Sequence, residues 1–152
     1  MTRFAFLLLT SLCCFAADNG FSGKWKLDRA KCTSSANYFP PADLTTSIEM
    51  TPDGVKITED YTALTSGEKR HRVRTLKFDG KDYPVPDANR PSSTDSAKRV
   101  DARTIDFLRK SEGKPMGESR WTISTDGTTL SLKGWSTTPQ GERNEYTCVY
   151  TH

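Results

Sequence analysis

The sequence predicts an all-β fold, an antiparallel meander closing into an up-and-down barrel of about 8–10 strands, with a two-sheet β-sandwich as the alternative. Three observations carry this expectation. Beyond residue 20 the chain is a succession of short segments in which apolar and polar residues alternate. Turn sequences punctuate them, among them Asp53-Gly54, Asp79-Gly80, Asp126-Gly127 and Pro139-Gln140-Gly141. No stretch after Ala17 offers a helix of useful length: residues 29–44 come closest, and Pro40-Pro41 with the Ser-rich Cys32–Ala36 limit any helix there to a turn or two. A meander of that kind removes its own unpaired edges by closing.

The elements follow in order. Met1-Thr2-Arg3 is basic, Phe4 to Phe15 is apolar, and small residues come next. That is the pattern of a secretory leader over residues 1–16, too short to span a bilayer, which takes roughly 20 residues. Cys13 is preceded by Thr10-Ser11-Leu12, a poor match to a lipid-attachment box, so plain export to the periplasm or the medium is expected. A single domain then occupies residues 17–152. Its first strand opens at Phe21–Leu27, and others are expected at Thr45–Thr51, Val55–Tyr61, Lys69–Phe78, Ser96–Val100, Thr104–Lys110, Glu118–Ser124, Thr128–Ser136 and Glu142–Thr151. A Pro- and Ser-rich loop fills Pro84–Thr94.

Removing the leader leaves about 136 residues and, with Arg3 gone, 21 basic against 19 acidic residues. So small an excess predicts no nucleic-acid partner. Two of the four cysteines leave with the leader, and Cys32 and Cys148 remain. In an exported chain two cysteines most often pair, here tying a loop near the mature N-terminus to the last strand; two separate thiols are the alternative.

Gly23-Lys24-Trp25 in the first strand resembles the Gly-x-Trp signature of the calycin barrels, the lipocalins and fatty-acid-binding proteins. That resemblance implies a structural role for Trp25 as a plug of the closed barrel end. Phe78-Asp79-Gly80-Lys81-Asp82-Tyr83-Pro84-Val85, Lys98–Asp106 and Ser124–Leu130, in this order and spacing, look like a family of small exported bacterial lipocalin-like proteins. The resemblance covers nearly the whole mature chain and implies a lipocalin-like barrel and export, without naming an activity. Fatty-acid-binding proteins carry a helix-turn-helix lid that residues 29–44 do not supply. Their last strand also ends in an Arg-x-Tyr pair for the ligand carboxylate. Here Tyr150 matches, and Cys148 stands at the Arg position.

Two constellations are candidates for ligand contact. On a strand Arg70, Arg72 and Arg74 share one face, and His71, Val73 and Thr75 the other. The arginines are either an anion-binding stripe or a solvated face whose long side chains cover apolar neighbours. Tyr146, Cys148 and Tyr150 share a face of the last strand, so Tyr146 and Tyr150 are either polar contacts in a cavity or barrel filling. Trp121 and Trp135 are read as packing.

Catalysis has little support. His71 and His152 are the chain's two histidines, His152 terminal and expected to fray, and Glu59-Asp60 point to opposite faces of a strand. Metal-ligand clusters, nucleotide-binding motifs and cofactor fingerprints are absent from the sequence. The expected role is non-catalytic binding or carriage of a small, partly apolar ligand, with a hydrophobic or anionic molecule as the partner. A filled-core interaction module of the cell envelope is the first alternative. A small enzyme using the Arg70/Arg72/Arg74 stripe as an anion clamp is the second.

Overall fold

The computed structural model describes residues 20–85 and 92–152. The leader expected over residues 1–16 lies outside the described residues, as does the middle of the Pro- and Ser-rich loop, 86–91. The alternating segments become ten strands: β1 (Gly23–Ser34), β2 (Thr45–Thr51), β3 (Gly54–Thr62), β4 (Lys69–Lys77), β5 (Tyr83–Pro84), β6 (Ser93–Asp101), β7 (Thr104–Ser111), β8 (Lys114–Ile123), β9 (Thr129–Thr137) and β10 (Arg143–Thr151). They form one sheet in the order β4-β3-β2-β1-β10-β9-β8-β7-β6-β5. Every pairing is antiparallel, and β1 with β10 joins the two halves of the meander. At the remaining seam β4 comes alongside β6, where Arg74 pairs with Asp95, so the barrel is nearly closed. A single ten-stranded sheet replaces the sandwich alternative.

The strands differ from expectation at three places, each for a local reason. β1 runs on through Cys32 to Ser34 instead of turning after Leu27. Its ladder with β10 is broken between Asp28 and Thr33, and the residues in that bulge obscure the alternation. Cys32 therefore lies in a strand and not in a loop. β5 is only two residues long, too short to show a period. β8 starts at Lys114 because a two-residue turn at Glu112-Gly113 is enough, both residues having positive φ (51° and 76°).

The barrel has two ends. At the floor, Phe21, Trp25, Ile57, Leu76, Ile105, Ile123 and Leu130 are buried. Each large apolar side chain removed from water there stabilises the fold by roughly 1.5–3 kcal/mol. Trp25 is fully enclosed and donates its Nε1 hydrogen to Phe21 O at 2.9 Å. His152, expected to be loose, packs against the floor: its ring centroid lies 3.9 Å from that of Trp25, over Gly23, where a Cβ would meet the imidazole at 2.9 Å. At the other end, the mouth, lie the connections 35–44, 63–68, 112–113 and 138–142.

The inner face changes character between the two ends. On β8 and β9 the inward residues near the floor are Ile123, Trp121, Leu130 and Leu132, all buried. Toward the mouth the paired positions become Ser119 opposite Gly134 and Gly117 opposite Ser136. A Cβ on Gly134 would lie 2.0 Å from Glu118 O, so only glycine lets β9 lean so closely on β8. Four small residues in place of four large ones leave space inside the upper half.

Candidate functional site

That space is a cavity of about 620 Å³, opening between Tyr38, Thr65 and Pro139 at the mouth. Arg72 and Arg74 line it from β4, Glu59 from β3, Asp95 from β6, Arg109 from β7 and Tyr146 from β10. The arginine stripe thus faces the interior, which overturns the solvated-face reading. The reason is the register. Arg72 and Arg74 stand opposite Glu59 and Ile57, and Ile57 is fully buried, so their face is the inner one. Arg70, higher on the same face, is bound instead to Glu68 at 2.6 Å.

Arg74 is the centre of a buried ionic chain. Its Nη1 donates to Asp95 Oδ2 at 2.5 Å and its Nη2 to Glu59 Oε1 at 3.4 Å. Arg72 grips Glu59 Oε2 with Nε at 2.8 Å and Nη2 at 2.5 Å. Arg109 gives Nε and Nη2 to the two oxygens of Asp95, each at 2.8 Å. Burial pushes both carboxyls toward the neutral form. For Glu59 the charges of Arg74, Arg72 and Arg109 outweigh it and hold the pKa below the usual carboxylate value. For Asp95, the bonds and charges of Arg109 and Arg74 bring the pKa down to about 2. Both acids are therefore ionised at neutral pH.

Across the cavity, burial raises the pKa of Tyr146, which also bonds Ser119. Tyr146 is a neutral phenol throughout the physiological range. Burial and the charge of Glu59 raise Tyr150 likewise, but Tyr150 is enclosed in the packed part of the barrel and does not line the cavity. Of the four candidate ligand residues, Arg72, Arg74 and Tyr146, expected on two separate strands, line one cavity, and Tyr150 does not. Glu59, Asp95 and Arg109 were not among the residues expected there. A signal for each exists, since Glu59 continues the inward series Val55, Ile57, Arg109 continues Ile105, Phe107, and Asp95 is in phase with Ala97.

Cys32 and Cys148 are joined in a disulfide across β1 and β10, with Cα atoms 4.2 Å apart. Just above it Asn144, 1% exposed, anchors the mouth. Its Oδ1 accepts from Ser34 Oγ (2.6 Å) and Ala36 N (3.0 Å), and its Nδ2 donates to Tyr38 O (2.9 Å). Asn144→Ala should destabilise the protein by about 1–3 kcal/mol, since the Ala36 amide and its neighbours lose a buried partner. Hydrogen exchange checks this: faster exchange is expected at residues 35–38, with the floor strands unchanged.

Two other features lie on the outer face, one of them, Trp135, also bordering the cavity. His71 sits on the outer face with Asp60 at 2.7 Å, both exposed, so it does not meet the interior arginines. Trp135 also lies on the outer face, with the Arg143 guanidinium 4.2 Å from its ring centroid. A concavity of about 700 Å³ crosses that face from Gly80 to Glu145, but none of its charged side chains is buried. Among the described residues no helix is long and apolar enough to cross a membrane, and no group of three or more His, Cys, Asp or Glu gathers for a metal.

No protein-family model and no curated protein matches the chain. Solved structures do. Zebrafish ileal bile acid-binding protein, complexed with cholic acid, is similar over 87% of this chain and 98% of its own, at 13% identity and a TM-score of 0.53. Lobster apocrustacyanin A1 is similar over 88% of this chain and 61% of its own, at 13% identity and a TM-score of 0.45. The fold is a lipocalin-like barrel. At such identity the likeness concerns the fold alone.

Proposed function

We propose that the chain is an exported, non-catalytic binding or carrier protein for a small, partly apolar molecule, held in the upper half of a single barrel domain. One observation carries this reading: a cavity of about 620 Å³ open at the mouth above an apolar floor sealed by Trp25 and its neighbours. That volume lies within the range of about 300–1,000 Å³ usual for small-molecule sites. Its lining is mixed: apolar surface from Phe107 and Met116 stands beside the charged side chains of β3, β4, β6 and β7 and the phenol of Tyr146. The filled-core alternative describes the lower half of the barrel and not the upper. The zebrafish protein of like fold takes cholic acid, which supports carriage as the use of such a cavity. Export, as in the small bacterial lipocalin-like proteins the sequence resembles, is supported by the leader pattern and by the disulfide.

Native mass spectrometry of the protein from its own host tests both parts. A chain beginning at Ala17 is expected, with a second mass bound that dissociates on activation. A chain retaining residues 1–16 would overturn export. An empty chain that also gives no thermal shift across a panel of lipids and isoprenoids would overturn carriage.

A further inference from the structure

We infer that the outer face of β6–β10 binds an extended, uncharged oligosaccharide, at a second site separate from the barrel cavity. The concavity of about 700 Å³ that crosses this face is a trough, and the strand register makes it one. Lys98, Asp106, Arg120 and Lys133 stand opposite one another on successive strands and form one outward row. Two residues nearer the mouth on each strand, Ser96, Leu108, Glu118, Trp135 and Glu145 form the next. From the rise per residue and the spacing of strands, the rows lie about 7 Å apart and the longer one crosses about 19 Å of sheet. The positions between the rows, Gly134 among them, send no side chain outward, which leaves a channel wide enough for one sugar ring.

Trp135 is the platform of this channel. Read from the sequence as packing, it stands on the surface and is only half-buried. Two neighbours fix its indole in advance. Glu118 Oε2 accepts from Nε1 at 3.2 Å, and the Arg143 guanidinium, itself bound to Glu145 at 2.6 Å, lies 4.2 Å from the ring centroid. Arg143 stands on the mouth side of Trp135, whereas the trough continues on the other side toward Lys133. One ring face is therefore covered and the other is turned to the trough. The C–H groups of a pyranose carry partial positive charge and suit the negative face of an aromatic ring held in this way.

The charges along the trough choose among ligands. Lys98, Arg120 and Lys133 are set against Asp106, Glu118 and Glu145, three of each sign. A polyanion such as a nucleic acid meets three carboxylates, and a polycation meets three cations. A sugar hydroxyl both donates and accepts, so it is served by either sign. Even while Arg120 holds Asp106 at 2.7 and 2.8 Å, the carboxylate keeps lone pairs and the guanidinium keeps N–H groups for such contacts. The backbone groups of β6–β10 are turned along the sheet into their ladders, so an extended peptide finds no strand edge to join here.

Calorimetric titration of the oxidised protein with cellohexaose, N-acetylchitohexaose and hexagalacturonate tests the inference, with indole fluorescence followed in parallel. Trp25 and Trp121 are buried, so the fluorescence change reports on Trp135. At least one of the two neutral hexaoses is expected to bind with a Kd of about 1 mM or tighter, and about tenfold more tightly than its monosaccharide or hexagalacturonate. Trp135→Ala should weaken that binding about tenfold in the calorimeter with the circular dichroism unchanged. If that variant does not fold, Leu108→Arg, which raises the floor of the trough, should weaken it likewise. Binding of neither neutral hexaose would overturn the inference, as would tighter binding of hexagalacturonate. Undiminished binding in whichever variant folds would place the sugar elsewhere and overturn it too.

Discussion

Asp95→Asn is expected to lower the unfolding free energy by about 3–5 kcal/mol, as removal of one partner from a buried ion pair does. Both oxygens of Asp95 are engaged, by Arg109 and by Arg74, and its side chain is only 2% exposed. An amide in its place keeps one acceptor, turns an NH₂ toward a guanidinium and leaves three arginines facing Glu59 alone. Asp106→Asn is the matched control. Asp106 holds Arg120 with the same two-pronged geometry, at 2.7 and 2.8 Å, but its side chain is 38% exposed. Its loss should cost less than about 1 kcal/mol. Urea unfolding of both variants measures the difference, and equal costs would show that Asp95 is not buried as described. The pH dependence follows the same group. Its pKa in the folded protein, about 2, lies below the ordinary 3.8, so the stabilisation is present above pH 4 and is lost as pH falls through 2. A drop of that size corresponds to about 2 kcal/mol. Asp43 and Asp126, whose carboxyls are also held low by hydrogen bonds, add to the same acid limb. Asp95→Asn should therefore flatten the loss of stability between pH 4 and pH 2 without abolishing it.

The barrel could be read from the chain because its information is local. The turn residues at Asp53-Gly54, Asp79-Gly80 and Asp126-Gly127 delimit segments whose alternation is visible within a few residues. The exceptions are where local information fails: the β1 bulge adds residues that match nothing on β10, and β5 is too short to alternate. The site was half legible for a different reason. That Arg70, Arg72 and Arg74 share a face follows from their spacing, but the other face carries Val73, so β4 alone does not say which one is buried. The answer lies in β3, where Ile57 and Glu59 pair with Arg74 and Arg72. Charges on an inward phase contradict the ordinary cost of burial, and only mutual compensation among residues far apart in the sequence, Glu59, Arg74, Asp95 and Arg109, removes the contradiction. The cavity itself was written in Gly117, Ser119, Gly134 and Ser136, whose smallness acquires meaning once β8 and β9 are paired in register.

Reduction of the Cys32–Cys148 bond is expected to cost about 4 kcal/mol by the loop-entropy argument, because it closes a loop of 116 residues in the unfolded chain. For a barrel of this length that corresponds to a melting temperature lower by about 15 °C. Urea midpoints with and without a dithiol measure it, and a midpoint that does not move would overturn it. Two thiols titrating in the non-reduced protein would show that the bond does not form. The native structure adds a spatial prediction to the entropic one. Below the bulge, Lys26, Leu27 and Asp28 hold β10 by regular pairing; above it only Thr33 and Ser34 pair, before the chain passes to the loop anchored on Asn144. The disulfide sits between these two parts and takes the place of the missing rungs. In the reduced protein, exchange should therefore accelerate at residues 33–38 and 143–147 while the lower β1–β10 pairing and the Trp25 floor stay protected. Since Tyr38 borders the cavity and Ser34 is bonded to Asn144, the mouth of the barrel should loosen before its floor. Ligand retention should then fall on reduction by more than the loss of global stability alone would produce.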